Sequence, residues 1–121
     1  MNSKKIFIIE DDNMTIEILK FIFTKEKYDV YVSKDGLDAI EKIPEILPDL
    51  VVTDILLPMK SGLEIIQFIK TNYPTMPVMA LSSLGEEEAT VADAFNLGVD
   101  DFIAKPFNPK ELLLRAKRYL K

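Results

Sequence analysis

The sequence contains no cysteine, so disulfides and thiolate chemistry are excluded throughout its 121 residues. Histidine is absent too, which removes an imidazole base, a zinc–histidine site and any phosphohistidine formed on this chain. No apolar run approaches the ~20 residues that a membrane-spanning helix needs, so no membrane association is expected. Met1-Asn2-Ser3-Lys4-Lys5 leads straight into a strand pattern and not into a secretion signal, so the expected location is cytoplasmic. Positive charge is in deficit. With 15 basic and 20 acidic residues the net charge is -5, which argues against direct binding of nucleic acid. What remains is an ordinary globular composition, 48% hydrophobic and 29% charged, expected to fold as a single domain over residues 1–121.

Short apolar runs alternate with helical patterns. Ile6-Phe7-Ile8-Ile9 reads as a strand buried on both faces, closed by Glu10-Asp11-Asp12. A helix is expected from about Asn13 to Lys27, with Ile18, Leu19, Ile22 and Phe23 as its apolar stripe. Tyr28–Val32 alternates like an edge strand. Asp35-Gly36 opens a helix with Leu37, Ile40, Ile43 and Ile46 as inward candidates and Pro44 as its end or kink. Leu50-Val51-Val52-Thr53-Asp54 is an apolar strand ending abruptly on a carboxylate, with Pro58 beyond it. Ser61-Gly62 precedes a helix with Leu63, Ile66 and Ile69 spaced by three.

The fourth strand is read at Val78–Leu81, and Gly85-Glu86-Glu87-Glu88 as the acidic start of the next helix. In that helix Val91, Ala94 and Phe95 are assigned to the core. The fifth strand covers Asp101–Ala104. Asn108 then caps a last helix with Pro109 at its first position and Leu112, Leu113, Ala116 and Leu120 available to pack. Alternation of five strands with five helices, joined by short connections, predicts an α/β fold. The expected form is a doubly wound parallel sheet of flavodoxin-like order 2-1-3-4-5, preferred over a four-stranded or barrel arrangement.

That topology delivers several chemical groups to one sheet edge. The first strand brings Glu10 and Asp11, the third Asp54, the fourth Ser82 and the fifth Lys105. Crowded carboxylates are costly unless a cation compensates them, and hard oxygen ligands of this kind suit Mg2+. Lys105 and the Ser82 hydroxyl can bind phosphoryl oxygens, leaving Asp54 as a nucleophile that forms an aspartyl phosphate. Taken singly, Asp54, Glu10-Asp11-Asp12, Ser82 and Lys105 each have a plain reading as turn, cap or surface residues. Their coincidence at one edge is what carries the functional reading.

With these residues in place, the whole chain resembles the receiver domain of bacterial two-component response regulators. The matching pieces are Ile8-Ile9-Glu10-Asp11-Asp12, Val52-Thr53-Asp54 with Pro58 and Gly62, Ala80-Leu81-Ser82-Ser83, Gly98–Phe102, and Lys105-Pro106-Phe107. The resemblance implies that Asp54 is the phosphoacceptor and that Glu10 and Asp11 hold magnesium, Asp11 directly and Glu10 through water. The Leu56 carbonyl would complete the metal ligands. Ser82 and Phe102 would be the switch pair, Lys105 the phosphoryl-binding lysine, and Lys105-Pro106 a cis bond. The implied donors are the phosphohistidine of a sensor histidine kinase or phosphotransfer protein, or a small acyl phosphate. The domain would catalyse its own phosphorylation and dephosphorylation without being a dedicated enzyme.

The chain departs from the family pattern at several positions. Serine stands at 82 where threonine is commoner, Phe102 lacks a phenolic oxygen, and Leu56 is apolar where polar residues often position attacking water. Slow autodephosphorylation is therefore expected. The segment from Ser82 to Gly98 is one residue longer than usual, which would displace the fourth helix start. Pro109-Lys110-Glu111-Leu112, Arg115 and Arg118 resemble receivers of the winged-helix DNA-binding class. In those, a face built from helix 4, strand 5 and helix 5 forms a homodimer; here Asp101–Arg115 and Asp100–Arg118 are the expected pairs. Glu111 lacks its basic partner, with Val91 near that place.

Whether the output is an attached domain or a downstream protein stays open, as does any role in transcription. A phosphohydrolase would want a second acid where Leu56 stands. A flavodoxin-like electron carrier would want a glycine and hydroxyl phosphate loop after the first strand, and a degenerate receiver would not keep all five site residues.

Overall fold

The computed structural model describes residues 3–83 and 88–121. Five parallel strands, β1 (Lys5–Ile9), β2 (Asp29–Ser33), β3 (Leu50–Asp54), β4 (Val78–Ser82) and β5 (Asp101–Ala104), form one sheet in the order β2-β1-β3-β4-β5. Five helices alternate with them: α1 (Asn13–Lys25), α2 (Gly36–Ile46), α3 (Gly62–Asn72), α4 (Glu88–Asn96) and α5 (Pro109–Lys117). The predicted fold class and strand order are therefore those of the protein. The expected start of α4 at residues 85–87 lies outside the described residues.

Because β-strand side chains alternate in direction, the continuous apolar strands supply two separate cores. Phe7, Ile9, Val51, Val78 and Ala80 pack with Ala39 and Ile43 of α2, Ile65, Ile66 and Ile69 of α3, and Ala94 of α4. Ile6, Ile8, Leu50, Val52, Met79, Leu81 and Ile103 pack with Leu19, Ile22 and Phe23 of α1 and Leu112 and Ala116 of α5. All residues of the central strands β3 and β4 are buried, whereas the edge strand β2 alternates between exposed and part-buried positions until it ends on buried Ser33.

Several boundaries and faces differ from the sequence expectation. α1 stops at Lys25, ahead of Lys27, whose φ of 68° is incompatible with a right-handed helix. Its buried stripe is Ile16, Leu19, Ile22 and Phe23; Ile18 lies on the flank and is exposed. Leu37 and Phe95 likewise sit off the centre of their helical stripes and are exposed. Pro44 does not end α2, which runs on to Ile46 and closes on Leu47 in the left-handed conformation, immediately before Pro48. α5 begins as expected, with the Asn108 side chain accepting from the N–H groups of Lys110 and Glu111 and Pro109 at its start.

Candidate functional site

β1, β3, β4 and β5 all end at the same edge of the sheet, so the loops that follow them converge. β1 lies beside β3, with Ile9 opposite Thr53, which places Glu10 next to Asp54. β4 continues on the other side of β3, with Asp54 opposite Leu81, and Ser82 is opposite Ala104 of β5. The Lys105 N–H donates to the Ser82 carbonyl at 2.6 Å, fixing the chain just before the side chain that matters. The Lys105-Pro106 bond is cis.

The loop after β3 is folded tightly against the site. The Gly62 N–H donates to the Ile55 carbonyl at 2.8 Å, and a Cβ at Gly62 would overlap the Asp54 carbonyl oxygen. Gly36 meets the same loop from α2, donating to the Pro58 carbonyl at 3.1 Å, and a Cβ there would overlap the Lys60 backbone. Only glycine allows these approaches. Sequence reasoning placed Gly62 beyond Pro58 without seeing that it clamps the end of β3.

At the centre, Lys105 Nζ bridges two carboxylates, 2.6 Å from Glu10 Oε1 and 2.9 Å from Asp54 Oδ2. Glu10 is fully buried, and its other oxygen accepts from the N–H groups of Asp11 at 2.9 Å and Asp12 at 3.3 Å. Asp54 is 5% exposed, and its Oδ1 is buried without a hydrogen-bond partner. Asp11 is exposed, and oxygens of Glu10, Asp11 and Asp54 lie within 4.8 Å of one another. Asp12 stands outside this group as the cap of α1, accepting from the Thr15 N–H and hydroxyl.

The electrostatics follow from one cation serving several acids. Burial pushes the Glu10 carboxyl up to about 7; the Lys105 hydrogen bond opposes this and the Asp54 charge reinforces it. Burial works to lower the Lys105 pKa, but hydrogen bonds and charge from Glu10 and Asp54 prevail and raise it. The donor set of three carboxylates, one with an orphaned buried oxygen, fits a hard divalent cation such as magnesium.

The other expected residues are placed around this centre. Ser82 is buried, with its hydroxyl 3.4 Å from the Ser83 carbonyl. Phe102 is half-buried on β5, its N–H donating to Asp101 Oδ1. The Leu56 side chain is exposed, as is Met59 in the same loop. Beside Lys105 an apolar groove of about 370 Å³ runs between α1 and the start of α5, lined by Ile18, Pro106, Phe107 and Pro109. The exposure of Ile18, unforeseen from helical spacing, belongs to this groove.

Four charged residues expected at a dimer face, Asp100, Asp101, Glu111 and Arg115, are engaged within the chain. Arg115 binds Asp101 at 2.8 Å and Glu111 at 3.2 Å, and Asp100 binds Lys70 at 2.7 Å. Among the described residues, no helix is long and apolar enough to cross a membrane.

A buried aspartate at the end of the middle strand, a neighbouring acidic pair and a lysine from the last strand form an acidic pocket consistent with a phosphoryl-accepting α/β domain. The family model for the response regulator receiver domain matches residues 6–117, and the chain belongs to that family. It is similar over 98% of both chains, at 30% identity and a TM-score of 0.90, to a response regulator from Chloroflexus aurantiacus. A CheY-like receiver domain protein from Methanospirillum hungatei gives a TM-score of 0.92 at 28% identity, covering 98% of this chain and 94% of that one. The beryllofluoride-activated N-terminal receiver domain of RstA from Klebsiella pneumoniae gives 0.89 at 30% identity, covering 98% and 99%. Membership brings the chemistry of the class: a receiver supplies the groups for its own phosphorylation and dephosphorylation and is not a dedicated enzyme.

Proposed function

We infer that Asp54 is the phosphoacceptor of this receiver. The observation that carries the reading is the unpartnered Oδ1 of a buried carboxylate whose other oxygen is held by Lys105. The partner protein is a sensor histidine kinase or phosphotransfer protein that carries the donor phosphohistidine; acetyl phosphate is a small alternative. An Asp54 oxygen attacks the phosphorus, the phosphorus–nitrogen bond breaks, and the donor imidazole leaves with that electron pair. The apolar groove beside Lys105 offers the donor protein a dry approach to the site.

Glu10, Asp11, Asp54 and the Leu56 carbonyl are the groups that would hold magnesium. Bound there, the ion offsets carboxylate repulsion and neutralises charge on the incoming phosphoryl group. Lys105 exchanges its contact with Asp54 for a phosphoryl oxygen, and the Ser82 hydroxyl donates to another. Movement of Ser82 and Phe102 then alters the α4–β5–α5 face, which controls an output domain or downstream protein.

The resemblance of Pro109-Lys110-Glu111-Leu112, Arg115 and Arg118 to receivers of the winged-helix DNA-binding class supports an output of that class. On that reading, Asp100, Asp101, Glu111, Arg115 and Arg118 contribute to a homodimer, with the Asp100–Lys70, Asp101–Arg115 and Glu111–Arg115 pairs of one chain given up for pairs across it. We assign residues 1–121 to one receiver unit acting in the cytoplasm, with no direct role in binding nucleic acid.

The test is incubation of the chain with magnesium and acetyl phosphate, followed by intact mass and by stability of the adduct to acid and base. One phosphoryl group is expected on the wild type and none on Asp54→Asn, with a surface substitution such as Lys121→Gln unaffected. Continued labelling of Asp54→Asn would remove Asp54 from its assigned role.

A further inference from the structure

Phe95 of α4 is 56% exposed, yet its ring centroid lies 5.7 Å from that of Phe102, with the planes 30° apart. Ala94 is the fully buried residue of that turn, so α4 directs its small side chain to the core and its large one toward β5. Phe102 has no hydroxyl to anchor its ring, so packing alone sets the ring's position. It packs on one side against the core between the sheet and α2, α3 and α4, and it stacks with Phe95.

The Phe102 backbone is held separately. Its N–H donates to Asp101 Oδ1 at 2.8 Å, the same oxygen accepts from Arg115 at 2.8 Å, and Arg115 reaches Glu111. The contacts that set the ring are thus separate from those that hold the backbone.

We propose that Phe95 is a positioning residue whose stacked ring holds Phe102 at the edge of β5 and biases the domain against its phosphorylated arrangement. In the structure the stack coexists with Lys105 bound directly to Asp54 and Glu10. Any arrangement in which the Phe102 ring leaves this edge gives up the stack. The contact therefore contributes to one side of the equilibrium only, and a ligand favouring the other side binds more weakly because of it. The proposal rests on the receiver reading of Asp54. Given the usual strength of an aromatic pair, the bias amounts to roughly a two- to tenfold effect on apparent affinity.

The experiment is titration of the chain with beryllofluoride and magnesium, with the Phe102 ring resonances followed by NMR, for wild type, Phe95→Leu and Phe95→Tyr. Phe95→Leu keeps an apolar group without the ring; it should shift the Phe102 resonances before ligand is added and tighten beryllofluoride binding two- to tenfold. Phe95→Tyr should restore wild-type affinity. In a Phe102→Leu background, Phe95→Leu should change nothing further. Unchanged or weaker binding by Phe95→Leu, or the same gain in the Phe102→Leu background, overturns the proposal. A wild type that fails to bind beryllofluoride overturns the receiver reading and the proposal with it, whereas wild-type binding with no Phe95 effect overturns the proposal alone.

Discussion

Two lysine–carboxylate clusters sit at opposite ends of the sheet. At the start of β4, Lys70 Nζ binds Asp100 at 2.7 Å and the Met76 carbonyl at 2.9 Å, while the same Asp100 oxygen accepts from the Val78 N–H at 2.8 Å. One cation meets one anion, and backbone groups complete the set. At the other end, one Lys105 serves two buried acids, a third acid lies close by, and Asp54 Oδ1 has no partner. The first arrangement is balanced and ties α3 to the β4 and β5 entrances. The second is unbalanced, and that imbalance fits the proposed uptake of a cation and a phosphoryl group. Charge number and satisfaction, more than the presence of a buried ion pair, separate a structural cluster from a chemical one.

The largest test of this contrast is Asp54→Asn. It should abolish labelling by acetyl phosphate while leaving stability to urea unchanged or raised, because it relieves repulsion with Glu10. A large loss of stability would show that the site is a structural cluster after all.

A second test uses pH on the metal-free domain. The Glu10 carboxyl, pushed up to about 7 by burial, holds its proton more tightly folded than unfolded. Below the unfolded value of 4.5 both states are protonated; between there and about 7 the folded state alone keeps the proton. Stability should therefore fall as pH rises through that window, by up to about 3 kcal/mol, and then level off. Urea titrations in a chelator should show this, and Glu10→Gln should flatten the profile.

Lys70→Met probes the balanced end. Removing the cation while keeping its stem should cost about 1 kcal/mol, since Asp100 is open to solvent and keeps its bond from the Val78 N–H. The rate of labelling at Asp54 should not change. The smallest effect is expected at Leu56, whose apolar side chain offers nothing to orient water. The wild-type acyl phosphate should decay slowly, and Leu56→Asn should shorten its life several-fold, followed by phosphate release. A wild-type half-life of only seconds would end this account of Leu56.

Much of the fold was legible because its signals are local. Apolar runs closed by Glu10, Asp54 and Ser82 marked strand ends, and Asn108-Pro109 marked a helix start that the structure reproduces. Helix faces were less legible. Ile18, Leu37 and Phe95 all fit a broad apolar stripe, but which flank meets solvent depends on how each helix is rotated on the sheet. For Asp100 the sequence suggested Arg118 across a dimer, and local spacing gave no sign of the cation that it meets within the chain. Lys70, brought close by the packing of α3 beside β4, is the partner.

The sequence by itself determined the chemical inventory: acids, a hydroxyl and a lysine at strand ends, with no cysteine or histidine to support another chemistry. It also determined the topology, because alternating elements with short connections leave few right-handed ways to pair five strands. Only the tertiary structure decided how charge is shared. Lys105 lies 95 positions from Glu10 and 51 from Asp54, so their common contact depends on side-chain reach across the finished sheet edge. The same holds for Phe95 and Phe102, whose stacking is settled by the rotation of one helix against one strand.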